Sequence, residues 1–401
     1  MNLVPLEEVL LSLESGVRPK GGVSADSGEI PSIGGEHLTA DGGFDFSNIK
    51  RIPESFFEHM TSGRIAPQDI LVVKDGATTG KTSFVHKDFP YKRAAVNEHV
   101  FCVRVDPERA LPMYVYHFLI SPDGQKAMQL DFRGATVGGI SREFSRKTRV
   151  PLPPVPEQRR IAAILDRADG LRAKRRAACQ QLDNLSEAVF FALCGSDSHH
   201  WTEKTVKSLA ARRPNAIRTG PFGSQLLHSE FVEEGVAVLG IDNAVQNRFV
   251  WGRSRFISEH KYRQLQRYTV TPGDVLITIM GTCGRCAVVP DDVGRAINTK
   301  HLCCITLDQS LCLPSYLHAC FLLDPLVRRQ LGVRERGAVM PGLNMELIKQ
   351  LRVAIPPLAV QRKHERVQNA VSGLRTRHEE SSGQSDKLFA SLQQRAFSGA
   401  L

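Results

Sequence analysis

The sequence lacks the features of a membrane or secreted protein. Its 401 residues contain no apolar run that approaches the roughly 20 consecutive residues of a membrane-spanning helix. The segment from Met1 to Glu8 contains glutamates where a signal peptide would need basic residues. The nine cysteines follow no regular spacing, which indicates reduced thiols and no disulfide framework. These absences predict a cytoplasmic protein without a membrane partner.

Common catalytic motifs are also missing. We find no Asp/Asn-Pro-Pro-aromatic loop of adenine methyltransferases, no glycine-rich dinucleotide fingerprint and no paired-carboxylate-plus-lysine signature of nucleases. The segment Gly76–Thr82 resembles a phosphate-binding loop, but three residues separate its glycines where four are needed. The strand-like Ser83-Phe84-Val85 follows where a helix N-terminus would have to face the phosphate. We therefore predict that this chain is not an enzyme and has no catalytic residues.

The chain does have an excess of positive charge. It carries 52 Lys and Arg residues against 42 Asp and Glu residues, a formal net charge of +10. A basic balance of this size favours a polyanionic partner such as nucleic acid. A basic enzyme without such a partner is the alternative on charge alone.

An internal duplication organises the chain. Its period of about 200 residues is far longer than the roughly 20–50 residues of solenoid repeats. It therefore predicts two whole domains, each with its own helix. The matching segments are Pro67–Val73 with Pro272–Thr278, Ala95–Cys102 with Ala296–Cys304 (one inserted residue), Arg133–Ala135 with Arg336–Ala338, and Arg149–Pro154 with Arg352–Pro357.

Comparison of the two copies removes two candidate sites. The motif Cys283–Cys286, with further thiols and His301 nearby, would suggest zinc, but the matching Thr79–Thr82 has no thiol. We therefore predict no metal site. The phosphate-loop-like segment recurs as Gly281–Arg285 without its lysine, so we interpret both as glycine hairpins that hold a basic residue, Lys81 or Arg285.

A histidine also recurs in the two copies. His99 and His301 each follow a strand-leading asparagine, Asn97 or Asn298. No serine or cysteine nucleophile repeats beside them. We interpret them as residues that brace loops or the core.

Proline-rich hinges separate the domains from their helices. Four prolines occur between Pro151 and Pro156, and Pro356-Pro357 form the second hinge. We place the first domain at residues 1–154, the central helix at 155–196, the second domain at 197–357 and the C-terminal helix at 358–401. Short Val/Ile/Phe runs between turn residues predict that each domain is mixed α/β with a mainly antiparallel sheet.

The central helix carries a coiled-coil seam. Apolar residues recur along it in steps of three and four, whereas Gly373 and Gly383 interrupt the C-terminal helix. The weaker helix needs a partner, and we predict antiparallel pairing with the central helix, with Arg175 and His378 near its middle. The predicted pairing residues are Ile161, Ile164, Leu171, Leu182, Leu185, Val189, Val367, Val371, Leu374 and Leu388.

Basic residues are frequent in the predicted loops of both domains. Arginine can read guanine through O6 and N7, and lysine and arginine both neutralise phosphates. The candidate DNA-binding residues are Arg18, Lys20, Lys74, Lys81, Lys92, Arg93, Arg133, Arg142 and Arg146 in the first domain and Arg218, Arg253, Arg255, Arg285, Arg334 and Arg336 in the second.

Three motifs together resemble the specificity subunit of type I restriction–modification systems. They are the repeated Pro-x-Asp-Ile/Val-Leu with its glycine hairpin, Pro151–Asp166 (PLPPVPEQRRIAAILD) and Ile217–Ser224 (IRTGPFGS), and the likeness covers essentially the whole chain. One departure is Val360, which replaces Glu157 in the second hinge.

The resemblance implies a fold and a set of partners. It implies two target-recognition domains joined by two long antiparallel coiled-coil helices, each domain reading one half of a bipartite site in double-stranded DNA. It also implies that the helices set the spacer and dock two modification subunits, which restriction subunits can join. The chain would bind no cofactor, because S-adenosylmethionine, ATP and magnesium belong to the partner subunits.

Two alternatives stay open from the residues alone. The first is a stand-alone, two-headed DNA-binding scaffold without methyltransferase partners. The second is a single-chain methyltransferase or nuclease with degenerate motifs.

Overall fold

The computed structural model describes residues 2–20, 22–24, 28–134, 138–195, 201–332 and 343–401. The chain forms two compact units, one of Met1–Ala177 with His378–Leu401 and one of Ala178–Arg377. The boundaries fall inside two long helices, so each unit contains a stretch of both.

The first unit is mixed α/β. Its strands are β1 (Leu3–Pro5), β2 (Leu10–Ser15), β3 (Ile30–Ile33), β4 (Lys50–Ile52), β5 (Ile70–Val73), β6 (Thr82–Phe84), β7 (Ala95–Val96), β8 (Val100–Val105) and β9 (Arg149–Pro151). Its short helices are α1 (Glu54–His59), α2 (Pro112–Leu119), α3 (Pro122–Gln129) and α4 (Phe144–Lys147), and the long helix α5 spans Val155–Phe190. The strands form a four-stranded sheet β2-β8-β5-β6, a three-stranded sheet β4-β3-β7 and the pair β1-β9. Among the described strands of the first unit, only β3 and β7 pair in parallel.

The second unit repeats this plan. Its strands are β10 (Thr202–Thr205), β11 (Ile217–Thr219), β12 (Phe231–Val232), β13 (Val236–Leu239), β14 (Phe256–Ile257), β15 (Thr269–Val270), β16 (Val275–Thr278), β17 (Cys286–Val288), β18 (Ala296–Asn298), β19 (Leu302–Ile305) and β20 (Arg352–Ile355). Its helices are α6 (Val206–Leu209), α7 (Glu259–Leu265), α8 (Pro314–Leu323), α9 (Pro325–Gln330), α10 (Met345–Gln350) and the long α11 (Leu358–Ser398). The sheets are β11-β19-β16-β17, β12-β14-β13-β18-β15 and β10-β20. The predicted fold class and duplication are therefore confirmed.

Burial on both faces explains the apolar strands of the repeated motif. Along β5, Ile70 and Val72 point into one hydrophobic core, and Leu71 and Val73 point into another. Successive side chains of a strand point to opposite faces, so a strand covered on both faces needs a continuous apolar run. The same reason applies to β16 of the second unit.

The structure aligns the two copies of the duplication from Val96 to His99 and from Asn298 to His301 without an inserted residue. In the parallel pairs, Ile33 lies opposite Val96 and Leu239 lies opposite Asn298. Val96 and Asn298 are therefore equivalent, and the sequence alignment of Asn97 with Asn298 is wrong by one position. The physical reason is that Asn298 is a buried strand residue whose amide bonds to the Leu302 carbonyl, 3.0 Å away.

A repeated glutamine joins each hinge to its domain. The Gln158 side chain accepts a hydrogen bond from the Leu111 amide (2.8 Å) and donates to the Pro153 carbonyl (2.9 Å). Gln361 makes the equivalent bonds with the Leu313 amide (2.8 Å) and the Pro356 carbonyl (2.9 Å). Each glutamine thus satisfies a backbone N–H at the start of α2 or α8, where no side-chain cap is present.

Replacing Gln158 by methionine is expected to lower the free energy of unfolding by about 2–4 kcal/mol, because a buried N–H and a buried carbonyl both lose their partner. Urea denaturation of the purified full chain measures this change. The neighbouring Arg159 is exposed, so Arg159→Met serves as the control and should change stability by about 0.5 kcal/mol or less. Equal effects of the two variants would contradict the role given to Gln158.

The long helices pair antiparallel within each unit, as predicted. In the first unit Arg172 contacts Asp386 (2.7 Å), and Arg175 donates a hydrogen bond to the Ser381 carbonyl (3.0 Å). The residue number rises along one helix and falls along the other, so the helices run in opposite directions. In the second unit Asp183 binds Arg375 (2.5 Å) and the Ser186 carbonyl accepts from Gln368 (2.9 Å).

The seam differs from the prediction at four positions. Ile161 and Val371 are buried, and Ile164, Leu182, Val189 and Val367 are half-buried. Leu171, Leu185, Leu374 and Leu388 are instead exposed, from 41% for Leu374 to 60% for Leu388, so their assignment to the seam is wrong. The reason is that polar side chains occupy contact positions, since the Arg172 guanidinium covers the ring of the buried Phe389 at 4.3 Å.

Candidate nucleic-acid interface

Both units present a glycine hairpin at the same end of the four-stranded sheet. One hairpin joins β5 to β6, and the other joins β16 to β17. Val73 N–H bonds to the Lys81 carbonyl (2.9 Å), and Thr278 N–H bonds to the Arg285 carbonyl (2.8 Å). We call this end of the sheet the hairpin end.

The hairpin end of the first unit collects four chain segments. Because β2 runs antiparallel to β8, the chain that leaves β2 through Arg18 and Lys20 meets the chain that enters β8 at His99. The backbone of Lys74 bonds to the His99 carbonyl (2.9 Å) and accepts from Ile140 N–H (2.7 Å). The second bond brings the segment around Arg133 to the same place, through the bridge between Arg133 and Gly139.

A mixed charge network covers this end. Arg18 contacts Glu98 at 3.4 Å, and His99 Nδ1 contacts Asp75 Oδ1 at 2.5 Å. Lys74 lies 3.9 Å from the other oxygen of Asp75. Such exposed contacts are weak in water, so the cations are available to another partner.

Arg133 projects from a rigid support. Burial raises the pKa of Asp131, but hydrogen bonds from Lys147 and Ser141 outweigh it and hold that pKa at about 2. This charged, fixed carboxylate lies 3.5 Å from the Arg133 guanidinium, which is still 69% exposed. The arginine is therefore oriented but accessible.

The hairpin end of the second unit carries different side chains. Arg255 forms an ion pair with Asp242, whose other oxygen accepts the Arg253 N–H (2.8 Å). Trp251 is 54% exposed, and the side chains of Met280 and Arg285 are exposed on the neighbouring hairpin. A cavity of about 300 Å³ lies between β13 and the segment from Trp251 to Phe256.

The predicted DNA-binding residues differ in their exposure and in their partners. Lys20, Lys92, Arg142, Arg253 and Arg285 are exposed, and their side chains form no ion pair with any described residue. Arg18, Lys74 and Arg133 have the partners given above. Lys81 donates to the Leu38 carbonyl (3.2 Å), Arg93 binds Glu54 and Glu58, Arg146 binds Glu7 (3.0 Å) and Arg255 binds Asp242, while Arg334 and Arg336 lie outside the described residues.

Arg218 is a structural residue, and its prediction as a DNA contact is wrong. Its side chain is 5% exposed and pairs with the buried Asp274 at 2.6 Å. In the first unit Asp69, the matching aspartate of the repeated motif, pairs with Arg104 through two bonds of 2.8 Å. The two arginines do not occupy equivalent positions.

The register of the strands shows that the arginine that pairs with the buried aspartate lies on a different strand in each unit. Arg218 lies opposite Cys304, and Glu14 occupies the equivalent position opposite Cys102. Two residues after those cysteines the first unit has Arg104 and the second has Thr306, which donates to Asp274 at 2.5 Å. A sequence comparison of the copies therefore misses the shared aspartate–arginine pair.

The cysteines of the chain are free thiols, most of them buried. All nine cysteines are free, and seven of them are buried. Burial raises the pKa of Cys303 to about 12 and also raises that of Cys286, so both stay protonated near neutral pH.

Within the described ranges no three His, Cys, Asp or Glu side chains are grouped to hold a metal ion. Across those same ranges, no helix is both long enough and apolar enough for a bilayer crossing.

Known proteins of one family are similar to this chain. The model of the type I restriction modification DNA specificity domain matches residues 1–179. The specificity subunit of the EcoBI type I restriction enzyme of Escherichia coli is 23% identical, over 79% of this chain and 67% of its own.

Two solved structures share the fold. The S subunit of a type I restriction–modification system from M. genitalium has a TM-score of 0.56 at 14% identity, over 99% of this chain and 96% of its own. A chain from work on complex assembly and conformational transition of the type I R-M system has a TM-score of 0.54 at 17% identity, over 100% and 98%. Together with the duplicated fold, these matches show that the chain is similar to the specificity subunits of type I restriction–modification systems and that its residues 1–179 match their DNA specificity domain.

Proposed function

We propose that this chain is the sequence-specific DNA-binding subunit of a type I restriction–modification complex. In this proposal the hairpin end of each unit reads one half of a bipartite site in double-stranded DNA. The observation that carries it is the recurrence of one backbone arrangement with different exposed side chains. Because the backbones match, the two hairpin ends can be placed on DNA in the same way. Because their exposed side chains differ, the two half-sites can differ in sequence.

The exposed cations supply affinity in this proposal. Lys20, Arg133 and Arg285 lie at the two hairpin ends, where each can neutralise a phosphate and release a counterion. The net charge of +10 has the sign that such binding needs. Binding is therefore expected to weaken steeply as the salt concentration rises.

The chain is a recognition subunit, and the chemistry takes place on other chains. Two modification subunits dock on the helices, bind S-adenosylmethionine and methylate adenine, and restriction subunits that use ATP and magnesium join them. The helices α5 and α11 set the spacer between the half-sites. The complex acts in the cytoplasm, where its DNA lies.

An exchange of residues 1–150 for those of another family member tests the two-reader proposal. The chimera is expressed with the modification subunits of the host, and methylated adenines are mapped by sequencing. One half of the methylated motif is expected to change and the other half to stay. A motif in which both halves change together would contradict the proposal, and the unexchanged chain is the control.

A further inference from the structure

Matching backbone hydrogen bonds occur at the two hairpin ends. Lys74 N–H bonds to the His99 carbonyl and Ile279 N–H bonds to the His301 carbonyl, both at 2.9 Å. The turns before these strands also match, since Val100 N–H bonds to the Asn97 carbonyl (3.2 Å) and Leu302 N–H to the Thr299 carbonyl (3.1 Å). These bonds define which residues occupy the same place.

The side chains at two of these places differ in charge between the units. Asp75, which follows Lys74, is equivalent to Met280, which follows Ile279. Glu98, which precedes His99, is equivalent to Lys300. The first unit therefore presents two carboxylates where the second presents a thioether and an ammonium group.

Carboxylates at this place work against phosphate binding. They lie among Arg18, Lys74 and His99, and they repel the phosphate backbone that those cations attract. A carboxylate in a DNA interface is suited instead to accept a hydrogen bond from an exocyclic amino group of a base in the major groove.

Both carboxylates have an oxygen free for such a bond. Asp75 uses Oδ1 for His99, and its Oδ2 lies 3.9 Å from Lys74 and forms no hydrogen bond with a described side chain. Glu98 uses Oε1 for Arg18 (3.4 Å) and His99 Nε2 (3.5 Å), and its Oε2 bonds to no described residue. Both side chains are about one-third exposed, at 35% and 31%.

Met280 offers different chemistry at the equivalent place. Its side chain is exposed beside Gly281, and it has no charge and no strong hydrogen-bonding group. An apolar group in the major groove favours the C5-methyl group of thymine.

We propose that Asp75, with Glu98, and Met280 are specificity-determining residues. Asp75 and Glu98 accept from a base amino group, cytosine N4 or adenine N6, in the half-site of the first unit. Met280 contacts a thymine methyl group in the half-site of the second unit. This inference rests on the proposed function, because it assigns bases to the same hairpin ends.

The test uses the full chain purified with its modification subunits. The complex selects from duplex libraries in which one half-site at a time is randomised, and the bound DNA is sequenced. In Asp75→Met the preference for an amino-bearing base at one position of the first half-site is expected to fall by about tenfold. The second half-site should be unchanged, and the selected base distinguishes cytosine from adenine.

Two further variants keep the inference falsifiable. Met280→Asp should lose a thymine preference in the second half-site alone. Because Asp75 and Met280 lie in different units, a folding defect in one variant leaves the other variant as a test of the inference. Lys20→Met, an exposed cation at the same end as Asp75, should weaken binding to all sequences and lower the salt dependence without a change of preference. Thermal unfolding of each variant shows that the fold is retained.

Unchanged preferences in folded Asp75→Met and Met280→Asp would overturn the inference while the proposed function stands. Selection of no sequence by the unaltered complex would instead overturn the proposed function.

Discussion

Replacing Arg218 by methionine is expected to lower the free energy of unfolding by about 3–5 kcal/mol. The substitution leaves the Asp274 carboxylate, which is 1% exposed, without its charged partner inside the second unit. A buried charge that loses its partner keeps its desolvation penalty and loses the attraction that offset it. Chemical denaturation of the full chain, monitored by fluorescence, measures the loss.

Arg253→Met is the matched control for this experiment. It removes the same charge from the same unit, but Arg253 is exposed and its guanidinium pairs with no described residue. Its stability should stay within about 0.5 kcal/mol of the unaltered chain. If Arg218→Met kept its stability and lost DNA affinity, the residue would be a DNA contact, as the sequence alone suggested.

Acidification from pH 7 to pH 5 is expected to remove about 2 kcal/mol of stability for each of two buried histidines. Burial lowers the pKa of His117 from 6.5 to about 3, with a smaller contribution from His86, and lowers that of His364 to about 4, with a contribution from His318. Neither ring nitrogen of either histidine forms a hydrogen bond within the part of the chain that the structure describes. Below pH 6.5 the unfolded chain binds protons that the folded chain excludes, so stability falls as the pH falls toward the folded pKa.

The variants His117→Leu and His364→Leu measure each contribution. Leucine fills a similar space and binds no proton. The substitution also removes two buried nitrogen atoms that form no hydrogen bond with a described residue, so it should not lower the free energy of unfolding at pH 7. The difference in unfolding free energy between pH 7 and pH 5 should shrink by about 2 kcal/mol in each variant. An unchanged pH dependence in both would contradict the assignment, and the exposed His59→Leu is the control.

The parts of the fold that depend on local pattern could be predicted from the sequence. Proline hinges, apolar runs and repeated glycines are local signals, and they located the duplication, the long helices and the two hairpins. The antiparallel pairing of the helices also followed, because the glycine-interrupted helix needs a partner.

The parts that depend on contacts across strands and helices could not be predicted. The sequence shows Arg218 as one cation among many, and only the pairing of β11 with β19 shows that it faces Asp274. In the same way, the periodicity of Leu171 resembles a seam, but the folded helices use Arg172 over Phe389. A basic side chain can serve either solvent or core, and its position in the fold decides which.

The displaced arginine restricts how such chains can recombine. A crossover inside a unit that joined the strand of Glu14 to the strand of Thr306 would leave the buried aspartate with no arginine. The reciprocal product would place Arg218 and Arg104 around one carboxylate. Only exchanges that keep both strands of a unit together preserve the pair, so viable new specificities should arise by crossover at the hinges and not within the readers.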